Sequence, residues 1–192
     1  TRKALGIKGG DTVIIYVGKI FGAKGPGALD LLKAYRFIRN KEKTKLIFIG
    51  DGKEKGILEE YVRVNKIPGA IFAGFKNQTE LPQYYSVADI LVLPSYSEQW
   101  GIVINESMYF GEAVIASDKV GAAYDLVKDG RNGFIYPAGN VEALREKIET
   151  LLTNSKLLLR MKKESQNIIN DWNFDRCASG IISALDSINN FR

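Results

Sequence analysis

The sequence predicts an α/β fold: a doubly wound parallel sheet of about six strands, helices on both faces, and a helical C-terminal tail. Two observations carry that prediction. Short apolar runs recur along the chain and are continuous rather than alternating, as in strands buried on both faces. Segments with apolar residues at helical spacing separate one run from the next. Repeated strand–helix–strand units of this length build a parallel sheet with right-handed crossovers.

In chain order, residues 12–17 are dominated by β-branched Val13, Ile14, Ile15 and Val17, which suit a pleated strand. A helix over 28–38 follows, with Leu29, Leu32, Ala34, Tyr35 and Ile38 on one face. Lys45, Leu46, Ile47, Phe48 and Ile49 make the second strand, and a helix over 55–65 carries Ile57, Leu58, Tyr61 and Val62. The third strand is 70–73, around Ile71 and Phe72, and a helix over 81–88 leads to the fourth, 90–93. A helix over 102–110, a fifth strand at 113–116, a helix over 122–128 and a weaker strand at 133–136 complete the alternation. After Pro137 the pattern is helical only. A helix over 140–153 has Asn140 as N-cap, Glu142 in its first turn, and Leu144, Ile148, Leu151 and Leu152 as its apolar face. Residues 155–170 form a second helix, and Phe174, Ala178, Ile181, Ile182 and Leu185 mark a third. No linker interrupts the chain, so residues 1–192 read as a single domain whose C-terminal helices run from about 140 to 189.

Composition removes several function classes. The 192 residues, 45% apolar and 26% charged, suffice for one soluble domain with its own core. The chain contains no histidine, which excludes His-based triads, His general bases and imidazole zinc sites within it. The one cysteine, Cys177, excludes an internal disulfide and reads as a small buried or half-buried helix side chain. Net charge is 27 − 22 = +5, spread along the chain rather than gathered in the dense stripe of a nucleic-acid binder. No nucleic-acid partner is therefore expected. A slight basic excess on solvated helix faces is the plain reading; the sharper one is a local positive pocket for a phosphorylated ligand. No run approaches the roughly 18 apolar residues of a membrane-spanning helix, and residues 1–6 lack an apolar signal core.

Ligands of such sheets bind at the carboxyl ends of the strands, and every loop leaving a predicted strand carries glycine together with polar or charged residues. The first offers Lys19 and Lys24 with glycines ahead of a helix, a point-charge and backbone N–H site for phosphate. It fits neither a Walker A loop nor G-x-G-x-x-G. The plain alternative is two solvated loop lysines. Glu98 and Glu106 lie eight residues apart, after the fourth strand and on the following helix. Eight helical residues rise about 12 Å, beyond the roughly 9.5 Å limit of a glycosidase carboxyl pair, so two contacts along an extended, hydroxyl-rich ligand fit better. A solvated glutamate or a charge at a helix N-terminus is the alternative for each. Gly101, Ile102 and Val103 open that helix with free N–H groups suited to a diphosphate. Trp100 reads equally as crevice wall or core, and Tyr84 and Tyr85 as packing.

The run from Glu98 through Gln99, Trp100, Gly101, Ile102, Val103, Ile104 and Asn105 to Glu106 resembles the E-x7-E motif of retaining glycosyltransferases with the GT-B fold, above all family 4, the "group 1" glycosyltransferases. The surroundings agree in order: Val17-Gly18-Lys19 and Lys24-Gly25, then Ile49-Gly50-Asp51-Gly52, Ala88-Asp89-Ile90, Pro94-Ser95, Val114-Ile115-Ala116, Gly121, and the stretch from Asp129 to Phe134. The resemblance covers about residues 3 to 155 and implies a Rossmann-like domain that is one half of a GT-B fold. That half is the C-terminal, donor-binding one, and the N-terminal acceptor domain is absent from the chain. The last helix would cross back to that missing domain and expose part of its apolar face.

The resemblance further implies roles. Lys19 and Lys24 clamp the donor's diphosphate and stabilise the leaving group. Glu98 holds hydroxyls of the transferred sugar, and Glu106 the ribose hydroxyls. Gly101, Ile102 and Val103 offer backbone N–H groups, Gly18 and Gly52 shape the donor site, and Phe75, Lys76 and Ser95 border the nucleobase. No metal and no cofactor are expected; the donor is a nucleotide-diphosphate sugar, UDP- or GDP-linked, and the acceptor a glycan, lipid or small molecule. The isolated domain is expected to be inactive, and the full enzyme cytoplasmic, with peripheral attachment to the inner face of the membrane open to it. Lys19 stands where arginine is usual, replacing a two-pronged phosphate contact by a point charge. Ala122 stands where a second glycine is usual. The competing readings are a non-catalytic nucleotide-sugar binding module and half of a sugar-nucleotide 2-epimerase, the latter opposed by the two glutamates and the Lys-Gly pair.

Overall fold

The structure is a computed structural model that describes residues 1–20 and 27–189. Six strands, β1 (Thr12–Val17), β2 (Thr44–Ile49), β3 (Ala70–Gly74), β4 (Ile90–Leu93), β5 (Ala113–Ser117) and β6 (Gly133–Tyr136), form one sheet in the order β3-β2-β1-β4-β5-β6. Every pairing is parallel, and β1 and β2 pair along their whole length, from Thr12 opposite Thr44 to Val17 opposite Ile49. The winding reverses between β1 and β4, which opens a crevice at their carboxyl ends.

Alternation along each strand builds two cores. Ile14, Tyr16, Leu46 and Phe48 face one layer with α1 (Ala28–Arg36), α2 (Lys55–Val64) and α6 (Val141–Thr153). Val13, Ile15, Val17, Ile47 and Ile49 face the other with α3 (Leu81–Tyr85), α4 (Val103–Tyr109) and α5 (Gly121–Leu126). Each such buried side chain contributes roughly 1.5–3 kcal/mol. The polar tip of buried Tyr35 is satisfied, its hydroxyl donating to the Thr44 carbonyl at 2.9 Å. The side chains of Asn140 and Asn154 cap α6 and α7 (Ser155–Asn170), accepting from the backbone N–H groups of Ala143 and Leu157 at 3.0 Å each. The helix α7 places Leu158 and Met161 in the first layer and Ile169 in the second.

Four expectations are corrected. The helix expected over 81–88 ends at Tyr85, because Asp89 must reach the sheet: its N–H donates to the Val13 carbonyl at 2.8 Å and its Oδ2 accepts from the Val13 N–H at 2.9 Å. The helix expected over 122–128 spans Gly121–Leu126, since the buried Asn132 side chain takes the Lys128 N–H at 2.7 Å. A single 3-10 turn, Lys41–Lys43, precedes β2. Cys177 is exposed rather than buried, because α8 (Phe174–Asn189) adds no residue to either core. Exposure of the α8 apolar face exceeds the partial exposure anticipated: Phe174 is 94% exposed, and Ile181, Ile182, Leu185 and Ile188 all lie open.

Candidate functional site

The carboxyl edge of the sheet is zipped together by backbone. The Gly18 N–H donates to the Ile49 carbonyl at 3.0 Å, that of Ile20 to Asp51 at 3.0 Å, and that of Gly50 to Gly74 at 2.9 Å. Gly50 has a φ of 139°, and a Cβ there would lie 1.8 Å from the Gly18 carbonyl oxygen, so only glycine lets the loops after β1 and β2 touch. Above this floor opens a cavity of about 450 Å³ lined by Val17, Gly18, Lys19, Ile49, Gly50, Asp51, Phe75, Lys76 and Leu81. It unites four expected residues, Gly18, Lys19, Phe75 and Lys76, at one mouth. Phe75 is 72% exposed, a large apolar ring held in solvent beside the opening. The Lys76 ammonium lies 3.6 Å from the Glu80 carboxylate and 5.7 Å from the centre of the Tyr84 ring. The exposed Lys19 is bound through its carbonyl, which accepts from the Tyr16 hydroxyl at 2.7 Å.

On the far side of the switch point, the loop after β4 is pinned to the loop after β5. Glu98 donates its N–H to the Lys119 carbonyl at 3.0 Å and accepts from the Gly121 N–H at 3.0 Å, and the Ala122 N–H donates to Trp100 at 2.8 Å. Burial, then the Glu98 carboxylate, hold the Tyr16 phenol above its usual range. The eight-residue helical rise between Glu98 and Glu106 is corrected: Glu98 pairs in an isolated parallel bridge with Val120, and helix begins only at Val103. Gly101 takes a φ of 92° at that corner. Among the described residues, the N–H groups of Ile102 and Val103 donate to no acceptor. Glu106 lines a second cavity, of about 270 Å³, which shares Leu81 with the first.

Other expected residues sit elsewhere. Lys24 and Gly25 lie outside the described residues. Ser95 is buried, its carbonyl accepting from the Ser117 hydroxyl, and it does not line the cavity beside Phe75 and Lys76. Gly52 flanks that cavity without lining it; its Cβ would lie 1.8 Å from the Ile20 carbonyl oxygen. Ala122, which stands where a second glycine is usual in the family it resembles, is fully buried. Trp100 is partly buried and packs on the second layer, its Nε1 donates to Asn105 Oδ1 at 2.9 Å, and its ring centre lies 6.0 Å from that of Trp172.

Two contributors escaped the sequence reading. Leu81 lines the first cavity, beside Asp51 of the Gly50-Asp51-Gly52 loop, and Tyr85 donates its hydroxyl to Glu106 Oε2 at 2.7 Å. A leucine and a tyrosine in an apolar helix carry no local signal of such placement. The Tyr85 contact joins residues 21 apart on different helices. Among the described residues, no three His, Cys, Asp or Glu side chains are grouped as metal ligands, and no helix is long and apolar enough to cross a membrane.

Comparison with known proteins gives concordant results. The family profile described as "Glycosyl transferases group 1" matches residues 1–168. The sulfoquinovosyl transferase SQD2 of Arabidopsis thaliana is 35% identical over 143 residues, covering 73% of this chain and 26% of its own. The crystal structure of Anabaena HepE in complex with UDP-glucose superposes with a TM-score of 0.78 at 25% identity, over 97% of this chain and 51% of HepE. The C-terminal domain of LpcC from Francisella tularensis shares the fold, with a TM-score of 0.75 at 24% identity, over 83% of this chain and 84% of that domain. This chain spans less than half the length of the curated relatives it matches, between 26% and 48% of the first eight.

Proposed function

The chain belongs to the group 1 glycosyl transferases, and from that membership we propose that it is the donor-binding domain of a retaining, family 4 enzyme. The reaction moves a sugar from a nucleotide-diphosphate sugar to a glycan, lipid or small-molecule acceptor. The observation that carries this reading is the 450 Å³ cavity at the carboxyl ends of β1, β2 and β3, with Lys19, Phe75 and Lys76 at its mouth and Glu98 and Glu106 across the switch point. A nucleoside enters that cavity beside Phe75. Its diphosphate lies over the loop after β1, where Lys19, joined by Lys24, meets the negative charge that grows on the leaving group. These ammonium groups supply the charge that a divalent cation supplies in other nucleotide-sugar enzymes. Glu106 accepts from the ribose hydroxyls and Glu98 from hydroxyls of the transferred sugar. The HepE complex with UDP-glucose supports a uridine donor.

The acceptor half belongs to the remainder of a longer polypeptide. The open apolar face of α8, with the cavity of about 590 Å³ lined by Ile102, Trp172 and Phe174 among others, is the surface offered to it. Without that half the domain binds donor and transfers nothing. The enzyme works in the cytoplasm, with peripheral attachment to the membrane when the acceptor is a lipid.

Calorimetry of the chain against UDP, GDP and ADP, with NAD as control, tests the reading. One diphosphate binds preferentially, and Glu106→Ala weakens it. Glu98→Ala spares the free diphosphate and weakens the corresponding nucleotide sugar. Equal losses for both ligands in both variants contradict the assigned roles.

A further inference from the structure

The Glu106 carboxylate is held from behind. Its Oε2 accepts from the Tyr85 hydroxyl at 2.7 Å, while Oε1 accepts no hydrogen bond among the described residues. The donor is rigid. Tyr85 is the last residue of α3, is 2% exposed, and stacks on Phe110 with ring centres 5.5 Å apart and planes 19° apart. Its phenol is held well above its usual range, first by burial and then by the hydrogen bond to Glu106, so it remains a donor at any working pH. Glu106 and Tyr85 both line the 270 Å³ cavity, together with Leu81, which also lines the nucleotide cavity.

From this geometry we propose that Tyr85 is a positioning residue that makes the site selective for ribonucleotides over nucleotides lacking the ribose hydroxyls. The inference rests on the reading of Glu106 as the ribose contact. A free glutamate samples several rotamers and loses that freedom on binding. The charge-assisted bond from Tyr85 removes the freedom in advance and leaves one carboxylate oxygen with unused acceptor capacity. A diol donates to that oxygen; a dideoxyribose cannot, and leaves the carboxylate desolvated without compensation. Tyr85 touches neither ligand nor reacting atoms in this scheme; it acts through Glu106.

The test measures Kd for UDP and for 2′,3′-dideoxy-UDP on the unsubstituted chain and on Tyr85→Phe, Glu106→Gln and the double variant. GDP or ADP and their dideoxy forms are used instead if one of them is the diphosphate that binds. The unsubstituted chain prefers the ribonucleotide by about tenfold, the scale of one hydrogen bond to a charged group. Tyr85→Phe brings the ratio to within about threefold while barely changing affinity for the dideoxy form. In the double variant the ratio matches that of Glu106→Gln alone. Because both ligands are measured on one preparation, the ratio is unaffected by partial misfolding, and a merely structural role for Tyr85 weakens both ligands alike. Tyr85→Phe with an undiminished ratio, beside Glu106→Gln with an abolished one, overturns the role of Tyr85 alone. A ratio unchanged in Glu106→Gln, or no preference in the unsubstituted chain, overturns the ribose contact itself and the inference with it.

Discussion

Ser107 Oγ donates to Glu112 Oε2 at 2.9 Å, and the other carboxylate oxygen of Glu112, fully enclosed, has no hydrogen-bond partner among the described residues. The pair sits where α4 turns into β5, at the end of the sheet opposite the candidate site. Burial raises the Glu112 carboxyl well above its ordinary range; the Ser107 hydrogen bond and the Lys162 charge oppose the rise without cancelling it. The folded state therefore favours the protonated acid. Its contribution to stability is complete below the unfolded pKa and is lost as pH rises through the folded value. Glu112→Gln removes that loss. Melting curves at pH 4.5 and pH 8 are expected to coincide at the lower pH and to favour the glutamine variant by about 1–3 kcal/mol at the higher. Parallel pH profiles for the two proteins contradict the assignment.

Gly50 and Gly56 are expected to answer an added methyl in opposite ways. At Gly50 the methyl meets the Gly18 carbonyl oxygen at 1.8 Å, whereas Gly56, early in α2, has nothing within 4 Å. Gly50→Ala costs about 2–3 kcal/mol and impairs nucleotide binding, since the cavity floor must part. Gly56→Ala gains about 0.5–1 kcal/mol by restricting the unfolded chain. Urea midpoints that move together would show that the two loops do not need their close approach.

Phe75 is expected to separate binding from stability. Its ring is 72% exposed, so Phe75→Ala removes almost no buried surface and leaves Tm within about 2 °C. The same change weakens the nucleoside diphosphate by about tenfold if the ring carries the base, the scale of one base–aromatic stack. A drop in Tm with unchanged Kd would make the residue a packing element.

Removing α8 is expected to leave the rest of the molecule intact. A chain ending at Asn173 keeps both cores and the Trp100–Trp172 contact. It should melt within a few degrees of the parent and bind less of the hydrophobic dye ANS, because Phe174, Ile181, Ile182, Leu185 and Ile188 are gone. A large fall in Tm would place α8 against the core.

The strands were legible because a parallel sheet buried on both faces writes itself as unbroken apolar runs, and β1, β4 and β6 begin and end where those runs do. Helix ends were less so, since they depend on distant partners: Asp89 draws the chain away from α3 to reach Val13, and Asn132 stops α5. Asp89 also shows how a motif resemblance mixes two kinds of residue. It stands in the Ala88-Asp89-Ile90 stretch, yet it ties β4 to β1 and pairs with Lys162 of α7, far from the crevice. Glu98 and Glu106 could be singled out because loops after parallel strands converge on one edge. The contact between Glu106 and Tyr85 could not, since nothing near Tyr85 in sequence distinguishes a buried ring from a buried ring with a task. Position was also illegible for α8: periodicity predicts an amphipathic helix but not whether its apolar face finds a neighbour within the chain.

The two halves of the hydrophobic interior share one stitch. Leu158 and Met161 of α7 are lodged on one side of the sheet and Ile169 on the other. Neither side can then loosen without dragging the same helix out of its counterpart. Opening becomes all-or-none, and the central amides of β1 and β5 exchange with solvent only when the whole domain lets go.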